Sequence, residues 1–328
     1  MLDEEDDRVA VQIVLCLAKV GRVDYPKDWP SLLQDIFFYI QESKRGKVML
    51  EGSNPQLLYK RGYLALYFLL KELASKRLAQ DQRNFESLTA SLYEHVWLHW
   101  TEDVGLFETM MDQKIRNRDR TLEEDCSRTI ETLLLQLKCL RKMLLSGYQS
   151  DARTLELSPE VAASCSSFLK RYNSTLNILI SCQHCGLAES KVEGLLQRLL
   201  IKLLKCLRQI QDRHPWSFIQ SGSLIPFLDM LCSQSSGPVM WAGEAGQTFI
   251  KGLLTCLYNI IHCPGYRGST SSLVVSAGKA KEQKLKLEKL AEDAKPLLRH
   301  YWSSKDSSLI GILVCKYFPL TKEELEQW

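Results

Sequence analysis

Two segments with helical spacing meet at Asp24-Tyr25-Pro26-Lys27-Asp28-Trp29-Pro30. Upstream, Val11, Val14, Leu15 and Ala18 recur at i, i+3, i+4, i+7; downstream, Leu33, Ile36, Phe37 and Ile40 do the same. That spacing puts each set on one face of a helix. Pro26 biases Tyr25 away from helical angles, so the first helix should end near Asp24. Pro30 suits the first position of the second helix, where its missing N–H costs nothing. Trp29 is then expected as a buried plug in the corner between two antiparallel helices. A buried ring there predicts a loss of about 3–5 kcal/mol on Trp29→Ala.

The same alternation continues along the chain. Helices are predicted over 4–22, 30–43 and 56–78, with a fourth starting near Asp81 and carrying Phe85, Leu88, Leu92, Trp97 and Trp100. The strongly charged stretch from Asp112 to Arg120 reads as an exposed loop. A fifth helix follows over 122–145, with Gly147 as its C-cap. Ser158-Pro159-Glu160 opens a sixth. A leucine-rich seventh covers 187–211, and His214-Pro215 marks the next corner, with Trp216 in a place comparable to Trp29. An eighth helix runs to about Cys232, and a ninth holds Ile250, Leu253, Leu254, Leu257 and Ile260. Residues from about 264 to 279 read as a flexible Gly/Ser loop. The remainder holds one or two helices broken near Pro296.

Paired helices therefore start near residues 4, 55, 121, 187 and 243, giving about five pairs. Each pair is too small to bury its own apolar face, and stacking on neighbours builds a continuous core. The expected fold is all-α, an α-solenoid spanning residues 1–328 as one segment. Its period exceeds the ~40–47 residues of a minimal HEAT unit, the excess being loop.

Other classes are disfavoured. The longest apolar runs fall far short of the ~20 residues of a membrane span. The net charge of +3 is too small to argue for nucleic acid. Most of the 11 cysteines lie in helical apolar runs, among them Cys16, Cys139, Cys206, Cys256 and Cys315, and read as reduced core thiols. His95 and His99 share a helix face, but Val96 stands where a zinc protease needs Glu, and Trp97 and Trp100 suggest packing. Cys182-Gln183-His184-Cys185 lacks a second ligand pair. Gly278-Lys279-Ala280 is no phosphate loop, and Gly243-x-x-Gly246 reads as a plain loop. No catalytic, metal or cofactor residue is assigned. Arg198, Lys202, Lys205 and Arg208 form a basic stripe that could meet an acidic partner, although a solvated face is the commoner reading.

A family resemblance rests on ordered motifs. The D-x-P-x-x-W-P-x-L corner opens the series; Leu73-Ala74-Ser75-Lys76-Arg77-Leu78-Ala79 and Leu140-Arg141-Lys142 with Gly147 follow. Then come Asp212-Arg213-His214-Pro215-Trp216-Ser217-Phe218 and Tyr317-Phe318-Pro319-Leu320 through Trp328. In this order they resemble the importin-eleven branch of the importin-β (karyopherin-β) superfamily. The resemblance implies a HEAT solenoid that lacks the family's first repeats and leads onward past its last residue, either a fragment or a short paralogue. Exposed stacking faces would then make the isolated chain self-associate. It also implies a non-enzymatic receptor carrying proteins into the nucleus. The implied partners are nuclear cargo proteins, phenylalanine-glycine (FG) repeat nucleoporins and the GTP form of the Ran GTPase, with no nucleic acid and no membrane insertion. The implied location is cytoplasm, nucleus and nuclear pore. The competing reading is a HEAT scaffold or truncated paralogue without Ran-driven transport.

Overall fold

The computed structural model describes residues 4–46, 54–117, 123–154, 157–184, 191–237, 241 and 243–267, with isolated positions between 285 and 301. Among the described residues all regular structure is helical. The chain divides into two compact units: residues 1–148 with 173–202, and residues 149–172 with 203–328.

The first unit begins with α1 (Asp7–Asp24) and α2 (Leu32–Lys44), followed by α3 (Pro55–Leu73), α4 (Ala79–Asn117) and α5 (Glu123–Ser146). The Asp6 carboxylate caps α1 by accepting from the Arg8 and Val9 amides, which satisfies two otherwise orphaned donors. Asn54 caps α3 in the same way, with Pro55 at its first position. α3 packs against α1, α2 and α5, and α5 also lies on α4. The helices α1, α3 and α5 thus form one layer, with α2 and α4 as the return helices that follow α1 and α3. Leu66, Leu69 and Leu70 of α3 and Leu133, Leu137 and Leu140 of α5 are buried at the centre.

The second unit contains α6 (Asp151–Thr154), the first half of α7 (Pro159–His184) and the second half of α8 (Lys191–Arg213). To these it adds α9 (Pro215–Gln220), α10 (Leu224–Ser236), α11 (Gly243–His262) and a 3-10 turn at Gly265–Arg267. α6 lies against α9, and α10 against α11. Leu203, Cys206, Leu207 and Ile210 of α8 are buried, as are Leu253, Cys256 and Ile260 of α11.

The leading helices of the pairs, α1, α3, α5, α8 and α11, begin close to the expected positions. The fold is all-α and built of HEAT-type helix pairs. Several local expectations are corrected. The stretch from Asp112 is not a loop: α4 continues to Asn117, because Val104, Phe107 and Met111 extend its buried stripe. The eighth expected helix is two helices. Ser221-Gly222-Ser223 breaks it, with Gly222 at φ +69°, a conformation costly for any side chain. Gly243 and Gly246 lie in the first turn of α11 rather than in a loop. The third helix stops at Leu73, short of Leu78. The short helix α6 was not expected. Cys16, read as a core thiol, is exposed. Of the expected flexible loop, residues 264–267 form the 3-10 turn and its approach; the rest, with Cys315 and the segment 317–328, lies outside the described residues.

Candidate protein-docking surface

α4 is 39 residues long and outruns α3. Its extra turns carry Leu106, Phe107 and Met110 to the mouth of a cavity of about 180 Å³. Tyr59 of α3 and Arg128 and Thr132 of α5 complete the walls. Phe107 is buried and forms the floor, while Leu106 is 68% exposed at the lip. The slot therefore lies between α3 and α5 against the far turns of α4 and is mostly apolar.

A polar network fixes its inner end. The Tyr59 hydroxyl donates to Asp103 Oδ2 at 2.7 Å, and Gln136 Nε2 donates to the same oxygen at 2.6 Å. Lys44 reaches Asp103 Oδ1 at 2.9 Å and Glu102 at 2.8 Å. Burial and the adjacent Asp103 raise the Tyr59 hydroxyl far above its ordinary range, so it stays a donor. Deeper in, His99 Nδ1 pairs with the Tyr63 hydroxyl at 2.8 Å, and Phe37 stacks on the His99 ring. Burial, reinforced by Lys44, lowers the His99 pKa to about 4 against the opposing pull of Asp103 and Glu102. The ring is neutral at pH 7. His95 also meets Phe37. Both histidines are thus placed by packing, and among the described residues no group of three His, Cys, Asp or Glu side chains could hold a metal ion. Cys182 is buried, and Cys185 lies outside the described residues.

Beside the slot, a second cavity of about 410 Å³ is lined by charge. Lys60 bridges Asp7 at 3.2 Å and Glu131 at 2.6 Å, and the fully buried Arg61 guanidinium meets Asp7 at 2.6 Å. Burial resists ionisation of Asp7, but Arg61 and Lys60 outweigh it and hold its carboxyl below the usual range. These ion pairs tie α1, α3 and α5 together at the end that carries the slot.

The expected corner residues fall into two different environments. Tyr25 ends α1 with extended angles, as Pro26 demands. The Asp24 carbonyl accepts from the Asp28 and Trp29 amides at 2.7 and 3.1 Å. α2, however, begins at Leu32 behind Ser31, so Pro30 stands outside the helix rather than at its first position. Pro30 is exposed and Trp29 only half-buried; the ring is not the full plug expected. The second corner is the better sealed. Pro215 occupies the first turn of α9, and Trp216 is 2% exposed. Asp151 of α6 accepts from the Ser217 amide at 2.8 Å and the Trp216 amide at 3.4 Å. Tyr266 donates to the Pro215 carbonyl at 3.2 Å. Gly265 lies flat on the Trp216 ring, where a Cβ would sit 3.1 Å away. His214 is buried between α8 and α9.

The basic stripe runs along α8. Arg198 and Lys205 are exposed, and Lys202 and Arg208 are half-buried. Arg198 and Lys202 belong to the first unit, Lys205 and Arg208 to the second. Leu106, Phe107, Met110 and the Asp103–Gln136 contacts were not identified from the sequence. The spacing of Val104, Phe107 and Met111 was the available signal; the surrounding charges masked it.

Comparison with known proteins shows what the chain is similar to. The chain is 25% identical to Importin-11 of Homo sapiens over 329 aligned residues, covering 99% of the chain and 29% of that protein. The chain is a relative of the importins. The match to Importin-11 of Mus musculus has the same identity and extent. Importin beta-like protein kap113 of Schizosaccharomyces pombe is 22% identical over 177 residues, 54% of the chain and 17% of that protein. The chain thus spans about 29% of the length of the Importin-11 proteins it matches. Neither a protein-family model nor a solved structure matches it. The importin-β resemblance read from the corner motifs is shown at this level, and the helix pairs are those of a HEAT-type α-solenoid. Among the described residues no helix is long and apolar enough to cross a membrane.

Proposed function

We propose that this importin relative is a segment of a nuclear transport receptor that carries proteins into the nucleus. In this reading it works between cytoplasm and nucleus and passes through the pore. The observation that carries the reading is similarity to importins along 99% of the chain. The partners are cargo proteins, FG-repeat nucleoporins and Ran in its GTP form, and the protein is not an enzyme. The layer of α1, α3 and α5 is assigned to the outside and the return helices to the cargo side. The slot between α3 and α5 supports this assignment. An apolar cavity of ~150 Å³ suffices to hold a benzene ring, and the slot has about 180 Å³. A phenylalanine inserted there would cover Leu106 and Met110, leaving its glycine to turn away over Thr129. Cargo and Ran-GTP would each favour a different arrangement of the helix array, so that binding one weakens the other.

The test is a titration of the whole chain with an FG-repeat peptide and its serine-glycine counterpart, before and after Leu106→Asp. Leu106 is exposed, so the substitution should leave folding intact. FG-selective binding that Leu106→Asp weakens at least tenfold is the expected result. Equal binding of both peptides would remove the slot from the reading. Capture of Ran from its GTP and GDP forms separates a receptor from a HEAT scaffold, which would ignore the nucleotide.

A further inference from the structure

The C-terminal halves of α3 and α5 and the middle of α8 bring Lys71, Lys138, Arg141, Lys142, Arg198 and Lys202 onto one side of the first unit. Their lateral order is fixed by contacts. The Lys138 ammonium of α5 sits 5.3 Å above the Tyr67 ring of α3, and Lys71 sits 5.7 Å above Phe68. Lys202 is close enough to Lys138, and Lys71 to Lys142, for each pair to repel. Burial first, then these neighbouring cations, pushes the Lys138 and Lys142 ammonium groups below their ordinary range.

Carboxylates are placed elsewhere. Glu72 is turned to Lys19 and Arg22 of α1, and Glu131 to Lys60 and Lys191. Among the described residues, Lys71, Lys138, Lys142, Arg198 and Lys202 have no carboxylate within ion-pair distance. A cation in the last turn of a helix complements the helix dipole, which accounts for Lys71 in α3. It does not account for Arg198 and Lys202, which stand mid-helix. Like charges four apart, as in Lys138–Lys142 and Arg198–Lys202, weaken a helix. The chain therefore holds a band of cations across three neighbouring helices, and for these five no ion pair offsets the repulsion.

We infer that this band is a docking surface for an acidic polypeptide segment, distinct from the apolar slot. Tyr59 at the slot and Lys71 in the band are twelve residues apart on α3, roughly 18 Å at 1.5 Å per residue. A segment rich in Glu and Asp, lying across α3, α5 and α8, would relieve the repulsion among the ammonium groups. Single-stranded nucleic acid fits less well. It needs aromatic faces open for stacking, and the Tyr67 and Phe68 faces are each covered by a lysine. The inference does not rest on the receptor reading, since it uses only the charge and geometry of this unit.

The experiment uses the full chain and a fluorescein-labelled 20-residue oligo-glutamate peptide, followed by anisotropy at 150 mM salt. Saturable binding is expected, weakened at least tenfold by Lys138→Gln, Lys142→Gln and Lys202→Gln together. The corresponding three Lys→Arg changes should retain binding, and Lys251→Gln on α11 should have no effect. Circular dichroism checks that the variants fold; should the triple glutamine variant not fold, Lys71→Glu at the exposed end of the band should by itself lower affinity several-fold. No saturable binding, or equal affinity in the parent and neutralised chains, overturns the proposal. Tighter binding of a 20-nucleotide single-stranded RNA than of oligo-glutamate overturns it in favour of nucleic acid. Loss of FG binding by Leu106→Asp with oligo-glutamate binding unchanged would show that the two surfaces are separate.

Discussion

At the scale of single residues, His99 and Asp151 show how burial decides protonation, and they do so with opposite signs. His99 titrates near pH 4 in the folded chain and near 6.5 when unfolded. Between those values the unfolded chain binds more protons, so stability is full above about pH 6.5 and falls as the pH drops towards 4. Asp151 is raised by burial to about 6, because the Ser217 and Trp216 amides offset only part of the desolvation. Here the folded chain holds the proton longer, so stability falls as the pH rises from about 4 to 6. Each contribution is on the order of 3 kcal/mol. In denaturant titrations across pH 4–7, His99→Gln should flatten the acid-side loss. Asp151→Asn, whose single oxygen can keep the shorter bond from the Ser217 amide, should remove the opposing slope. The two tryptophans differ for a related reason. Trp216→Ala should cost about 3–5 kcal/mol, and Trp29→Ala roughly half that or less, in thermal or chemical unfolding. A larger loss at Trp29 would contradict the half-buried ring.

At the scale of elements, the starts of several helices were legible because capping and proline chemistry act locally. Asp6, Asn54 with Pro55, and Ser158 with Pro159 mark α1, α3 and α7 without help from the rest of the chain. Ends were harder to read. The end of α4 was misjudged because charge density at Asp112–Arg120 outweighed a sparse stripe in which Met111 is fully buried. The break between α9 and α10 was signalled by Ser221-Gly222-Ser223, yet the flanking Phe218 and Phe227 continue the apolar pattern and pack on each other at 5.4 Å. The slot was hidden because its walls come from α3, α4 and α5, segments far apart in the sequence. Because Met111 is fully buried in the stripe that prolongs α4, Met111→Ala should destabilise the chain by about 2–5 kcal/mol. A helix that frayed before Met111 would predict almost no change in unfolding midpoint.

At the scale of the whole molecule, the sequence pattern and the ordered motifs were enough for the fold class and the importin relationship. They could not reveal surfaces assembled from several helices, because neighbours in space such as Tyr67 and Lys138 are far apart in the chain. One feature of the core gives the molecule a use at the bench. Of the nine described cysteines, Cys16 alone is exposed; eight are buried, and burial pushes the thiols of Cys139, Cys165 and Cys256 well above their ordinary range. A thiol reacts as its thiolate and only where reagent can reach it. Among the nine described cysteines, brief alkylation of the native chain should modify Cys16 first, as read by peptide mapping, and leave those buried positions untouched. Thereafter the slow labelling of Cys139 on α5, Cys165 on α7 and Cys256 on α11 becomes a set of clocks distributed through the chain. Each would time the opening of its own helix when a peptide, a nucleotide-bound GTPase or a cargo is added.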